Sequence, residues 1–226
     1  MLRFFLLNFL LFSCLILIAQ PTRDQHPLSQ ILANTRVYVM EKDNSETIVK
    51  GSHYYMDDFS AGWVLLQESR DTIQDLYLKY NIYHNILEWR VSKNEIKNLL
   101  IDRVASFGFE DDFFVNAQQL ESGQKGFFKN VYRGEVVSIY TKESIKRKYI
   151  KAKPPFEEKN SIIFYKTEET YLYHDGRMHL INTKKQLESL INSWEMRSLK
   201  SKKSDLQNEA FLQSLGERIE SHLTSK

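Results

Sequence analysis

A two-residue alternation of apolar and polar side chains runs through the chain from about residue 35 to residue 181, and a 3.6-residue period replaces it from there to the end. Arg36-Val37-Tyr38-Val39-Met40 and Glu46-Thr47-Ile48-Val49 are β-branched and aromatic, and Asp43-Asn44-Ser45 between them has turn chemistry, which predicts a hairpin. Gly62–Leu66, Thr72–Leu78 and Tyr80–Val91 predict further strands. In the last of these Ile82, His84, Ile86 and Glu88 alternate with Tyr83, Asn85, Leu87 and Trp89, so both faces carry apolar weight and the sheet is expected to be partly covered on both sides. Gly126–Tyr132 and Glu135–Tyr140 flank a tight turn at Arg133-Gly134. Ser161–Tyr165 passes through a turn at Glu168-Glu169 into Tyr171–His174, and Asp175-Gly176 then reverses the chain into Arg177–Ile181. An Asp-Gly pair between alternating segments is the signal of a type I′ hairpin, which needs positive φ at both central residues.

Leu187, Leu190, Ile191 and Trp194 follow Asn182-Thr183 at helical spacing and predict a helix over about 183–194. Leu206, Ala210, Phe211, Leu212, Leu215 and Ile219 predict a second over about 205–222, with Ser204 as its N-cap. Lys200–Lys203 joins them, and Lys151-Ala152-Lys153-Pro154-Pro155 reads as a stiff extended linker. Strands first and helices last define an α+β fold: a mainly antiparallel sheet over about 35–181, barrel-like or roll-like, closed by two C-terminal helices in a single domain over 35–226.

The N-terminus changes the picture of where such a domain works. Arg3 precedes an apolar run from Phe4 to Ala19 broken only by Asn8 and Ser13, the pattern of a signal peptide over 1–19, followed by a polar leader over 20–34. An uncleaved anchor and a lipoprotein modified at Cys14 are the alternatives. Cleavage after Ala19 removes the only cysteine, so the mature domain has no disulfide, thiol nucleophile or thiolate metal site. The expected location is the periplasm or the outer membrane's surface. With 42% hydrophobic and 27% charged residues in 226, the chain folds, and a formal charge of +2 does not advertise nucleic acid.

Gly51-Ser52-His53-Tyr54 with Asp58-Phe59 and Gly62, then Lys79-Tyr80-Asn81-Ile82, then Gly126-Phe127-Phe128 and Arg133-Gly134-Glu135-Val136, with Lys184-Lys185 opening the helical part, resemble a family of uncharacterised exported proteins of Bacteroidota. The family pattern is G-S-x-Y…D-F and K/R-Y-N-I. The resemblance implies an origin and a compartment, and no activity or functional residues.

The candidate binding residues are Ser52, Tyr54, Asp58, Tyr80, Asn81 and Tyr83. Tyr rings offer stacking faces and Asn a bidentate amide, the equipment for holding a sugar or a peptide backbone. A turn with a core-edge aromatic is the bland alternative for Ser52–Asp58, and a backbone-satisfying role is the one for Asn81. Ser52 and His53 are sequence neighbours, which in a strand point apart, and there is no nucleophile elbow. His26, His53, His84, His174, His179 and His222 form no metal-binding spacing, although His174 and His179 flank the Asp175-Gly176 turn and a weak divalent site there is conceivable. Asp57-Asp58, Glu110-Asp111-Asp112, Glu157-Glu158 and Glu168-Glu169 read as solvated turns. Lys142, Lys146, Arg147, Lys148, Lys151 and Lys153, against one Glu143, suit peripheral association with lipid head groups, lipopolysaccharide phosphates or acidic glycans; a charged edge strand that resists aggregation explains them equally.

These observations favour a non-catalytic envelope protein that recognises a protein partner or an envelope polymer, with no cofactor and no metal. One alternative is an exported hydrolase of glycans or lipids using Asp57 or Asp58 as acid and base. The other is an assembly factor that takes a client strand at a sheet edge.

Overall fold

The computed structural model describes residues 47–68, 70–109, 111–120, 122–153, 159–196 and 203–225. The expected strand Arg36–Met40 and the turn Asp43–Ser45 lie outside them. Eleven strands form one sheet: β1 (Ile48–Lys50), β2 (Ser60–Leu66), β3 (Thr72–Asn81), β4 (Ile86–Ser92), β5 (Glu95–Leu99), β6 (Val104–Phe109), β7 (Asp112–Asn116), β8 (Phe127–Arg133), β9 (Val137–Ile150), β10 (Ser161–His174) and β11 (Arg177–Leu180). The spatial order is β1-β10-β9-β8-β7-β6-β2-β3-β4-β5, with β11 also on β10. Every pairing is antiparallel except β1 with β10, which is parallel. Two helices follow, α1 (Lys184–Ser193) and α2 (Glu209–Thr224). The α+β class expected from the periodicity is the observed one, and the sheet is not closed into a barrel.

The sheet curls instead. Five strands separate β10 from β3 in the sheet, yet residues 53–55 touch both. His53 lies tilted against Phe164 of β10 with ring centroids 5.5 Å apart, and Lys166 Nζ donates to Tyr55 O at 3.0 Å. The same segment bridges to β3 at Tyr54–Asn81, and Tyr55 N–H donates to Tyr80 O at 2.9 Å. Only a curled sheet brings its second and eighth strands along this order within reach of one short segment. The parallel β1 enters that segment through Gly51 at φ +80, where a Cβ would lie 2.2 Å from Phe164 O, so glycine alone fits.

Register identifies what fills the inside of the curl. Phe114 pairs Lys129, Lys129 pairs Thr141 and Thr141 pairs Thr170, so these residues share one face with Ile139 and Leu172. On that face Phe107 and Phe114 stack at 4.7 Å, and Phe107 and Tyr80 both meet Phe127 edge-on. Further along, Ile139, Leu172 and Val137 pack with Leu187 and Ile191 of α1 and Leu212, Leu215 and Ile219 of α2. The opposite face carries a smaller cluster of Phe128, Tyr140, Tyr171, Ala117 and Leu120. Burying each such apolar side chain contributes about 1.5–3 kcal/mol, which is why both faces of the central strands read as apolar.

Several boundaries differ from the expectation for local reasons. The segment Tyr80–Val91 is not one strand: Asn81 Oδ1 accepts the His84 N–H at 3.0 Å and Asn85 adopts φ 54, which makes 82–85 a turn between β3 and β4. The expected turn at Glu168-Glu169 is absent, because β10 runs unbroken from Ser161 to His174 against all of β9. Lys151–Pro155 joins those two strands, so it is a hairpin connection; Pro154 and Pro155 lie outside the described residues. Asp175 at φ 50 and Gly176 at φ 73 form the expected type I′ turn. Helix α1 starts as expected, with Thr183 and Gln186 in a reciprocal capping box. Helix α2 starts later, at Glu209, capped by Asn208 and not by Ser204, because 203–207 form a 3-10 turn.

Candidate functional site

Three groups of functional side chains emerge, and the first surrounds the 51–59 segment. Ser52 Oγ accepts the Tyr54 N–H at 3.2 Å, which tightens the turn. Tyr54 OH donates to Glu88 Oε1 at 3.0 Å, and Lys79 Nζ lies 3.8 Å from the Tyr54 ring centroid. Lys79 also donates to Asp57 O, and Arg90 lies 4.0 Å above the Phe59 ring. Burial and the neighbouring Glu88 push the Tyr54 phenol up to about 12, and burial raises Glu88 against the lowering effect of its Tyr54 hydrogen bond. Burial, then His84 and Lys79, lower His53. Asp57 and Asp58 are exposed on the bend.

The structure brings most of the sequence-predicted binding residues together, with Tyr54 bridged to Asn81 and the Tyr83 N–H donating to His53 O, but it buries or engages them instead of presenting them. Tyr80 is buried at 6% exposure, with its OH donating to Asn85 Oδ1 at 3.0 Å, and Asn81, buried at 4% at the end of β3, accepts from the 82–85 turn. Tyr54 is half-buried and engaged with Glu88, while Ser52 serves its turn. Tyr83 is partly exposed and lies edge-on to Phe164 at 5.4 Å. Only Asp58 and Tyr83 among the six face solvent.

The second group is charged and lies inside the curl. Lys129 Nζ sits 2.7 Å from Asp112 Oδ1 and also pairs with Glu209 at the start of α2. Tyr55 OH donates to Asp112 Oδ2 at 2.8 Å. Lys166 Nζ is 3.1 Å from Glu143 Oε2, and Glu143 stands directly across from Glu168 on β10. Burial, then the like charges of Glu143 and Glu209, raise Glu168. Burial alone would lower Lys129, but its bonds to Asp112 and Glu209 outweigh that and raise it. Asp112 therefore does not sit in a solvated turn as expected but in a half-buried ion-pair network, and Glu168 lies within β10 beside that network, in a strand and not a turn. Register puts Glu143 on the same face of β9 as Ile139 and Thr141, which line the inside of the curl.

The third group is the distal half of the β9–β10 hairpin. β8 pairs only Ser138–Thr141 of β9, so among the described residues the far edge of β9 is unpaired from Lys142 to Ile150. Lys146, Arg147 and Lys148 are exposed there, as are Lys151 and Lys153 beyond the strand. Lys142 differs from them: it is half-buried, bonds Gln124 and lies 5.2 Å from the Phe128 ring centroid, and burial lowers its pKa. Tyr149 is 56% exposed and Tyr165 45% exposed on the same arm, with Ile48 and Val49 exposed on β1 beside it.

His174 and His179 both lie edge-on to Trp194, at ring distances of 5.1 and 6.4 Å, and His174 Nδ1 lies 3.0 Å from Val136 O. Among the described residues no three His, Cys, Asp or Glu side chains gather as a metal would require, and no helix is long and apolar enough to cross a membrane. Comparison with family models, with curated proteins and with solved structures returns no match.

Proposed function

We propose that the protein is a non-catalytic binding protein of the cell envelope that docks on an anionic surface through the distal β9–β10 arm. The observation that carries this is the arm's composition: from Ser144 to Lys153 there are five cations and no acid, on a strand whose edge is unpaired among the described residues. Ile145, Tyr149 and Ile150 interleave them. Register places Val49, Ile162 and Tyr149 in one row across β1, β10 and β9, so basic and apolar groups share the tip. Cations beside insertable Tyr and Ile side chains are the chemistry of a peripheral lipid-surface contact. The exposure of Asp57 and Asp58 offers no desolvated acid for the hydrolase alternative.

Co-sedimentation with vesicles tests the proposal. Phosphatidylcholine vesicles containing phosphatidylglycerol should bind the protein, and phosphatidylcholine alone should not. Each lysine near an anionic surface contributes about 1 kcal/mol, so removing two with Lys146→Gln and Lys148→Gln should weaken binding about 30-fold. Equal binding to both vesicles, or an unaffected double variant, refutes it.

A further inference from the structure

The outer face of the sheet holds a second site, remote in the fold from the arm. A surface groove of about 350 Å³ is lined by Trp63, Thr72, Gln74, Ser106, Phe113 and Arg133 among others. That volume is at the lower end of ligand pockets. Its wall is a pair of half-buried rings, Trp63 of β2 and Phe113 of β7, stacked at 5.6 Å with 24° between their planes. Both flank Gly108 in a single cross-strand row, Trp63–Gly108–Phe113. A Cβ on residue 108 would lie 2.8 Å from the indole Nε1 and Cε2 atoms, so glycine is what lets the indole lie against the sheet.

A backbone irregularity faces this wall. Gly62 pairs Leu76 but Val64 pairs Ile73, so Gln74 and Asp75 together oppose Trp63 in a β-bulge, and Asp75 takes φ 58. The extra residue keeps both Ile73 and Leu76 in the buried face and leaves Gln74 exposed on the groove side. A non-glycine residue held in the left-handed region costs of order 1 kcal/mol or more, and such strain concentrates at functional positions. Arg133 reaches the same groove from the end of β8; it is exposed and has no ion-pair partner among the described residues.

An aromatic wall, a re-aimed amide, two hydroxyls and one unpaired guanidinium are complementary to a sugar ring bearing a carboxylate. The ring's C–H face stacks on the aromatic wall, Gln74, Thr72 and Ser106 exchange hydrogen bonds with its hydroxyls, and Arg133 takes the carboxylate. We propose that this groove binds a hexuronate unit of an acidic glycan. The groove lies open on the surface, which suits one unit of a polymer passing over the sheet.

Tryptophan fluorescence of the protein, titrated with tetragalacturonate, tests this, with neutral maltotetraose as the comparison and Trp63→Phe to assign the signal. A saturable change with tetragalacturonate, absent in Trp63→Phe and at least tenfold weaker for maltotetraose, is expected. Arg133→Gln alters only an exposed side chain and should weaken binding about tenfold, the loss of one charged hydrogen-bonded contact. No saturable change, an equal response to maltotetraose, or unchanged affinity in Arg133→Gln overturns the assignment. So does loss of binding in the Lys146→Gln/Lys148→Gln variant, which would place the glycan on the arm; failure of the vesicle experiment alone leaves the groove untouched.

Discussion

Gly216 lies in the middle of α2, on the buried side of the helix, where sequence logic invites replacement by alanine. In an exposed helix interior Gly→Ala stabilises by about 1 kcal/mol, because alanine has less backbone freedom to lose. Here the added Cβ would sit 2.3 Å from both Cγ and Cδ1 of Tyr132, well inside van der Waals contact, and the obstacle is a ring held by β8 and the helix core. Over-packing of this kind costs about 1–3 kcal/mol. Gly216→Ala should therefore be destabilising on balance, by up to about 2 kcal/mol once the propensity gain is subtracted. The decisive assay is urea unfolding of four proteins: wild type, Gly216→Ala, Tyr132→Ala and the double variant. In the Tyr132→Ala background the obstacle is gone, so the same glycine replacement should become stabilising by about 1 kcal/mol. If Gly216→Ala stabilises in both backgrounds, α2 does not seat on Tyr132 as described.

Glu220→Ala should lower stability by about 1.5 kcal/mol in the same assay, because the carboxylate accepts the N–H groups of Glu135, Val136 and Val137 at 2.8–2.9 Å and so pins α2 to the β8–β9 turn. Glu168→Gln should stabilise the protein at neutral pH: burial, Glu143 and Glu209 raise its folded-state pKa, so ionisation costs stability above the unfolded value and the advantage over wild type should vanish as pH falls below it, measured by thermal melts across pH 4–8. His53 behaves with the opposite sign. Its lowered pKa gives stability that is present above the unfolded value of about 6.5 and lost as pH falls, so His53→Gln should flatten the decline of melting temperature below pH 6.5.

The strands and helices with strong periodicity were legible because local chemistry and packing agree there: the Asp175-Gly176 hairpin and the Thr183 capping box need only their own residues. β6 was not, since Val104–Phe109 is buried throughout and a strand covered on both faces shows no alternation. Glu168-Glu169 resembled a turn because two adjacent acids favour solvent, and only Lys142 across from Glu169 and the length of β9 hold them in a strand. The candidate site fared less well for the same reason. Tyr80 and Asn81 have the right chemistry for binding, but the curl of the sheet buries both, and curl arises from pairings far apart in sequence. The Trp63–Gly108–Phe113 row likewise exists only in register, with no sequence spacing to announce it.

Hydrogen exchange of the β9 amides, with and without phosphatidylglycerol-containing vesicles, tests the docking role of the arm most directly. The amides of Lys142–Ile150 that point away from β10 should exchange fast in the free protein, and those within Ser144–Ile150 should become protected on the vesicles while Val104–Phe109 stays unchanged. Protection confined to other elements, with the arm still exchanging as in the free protein, would contradict the account.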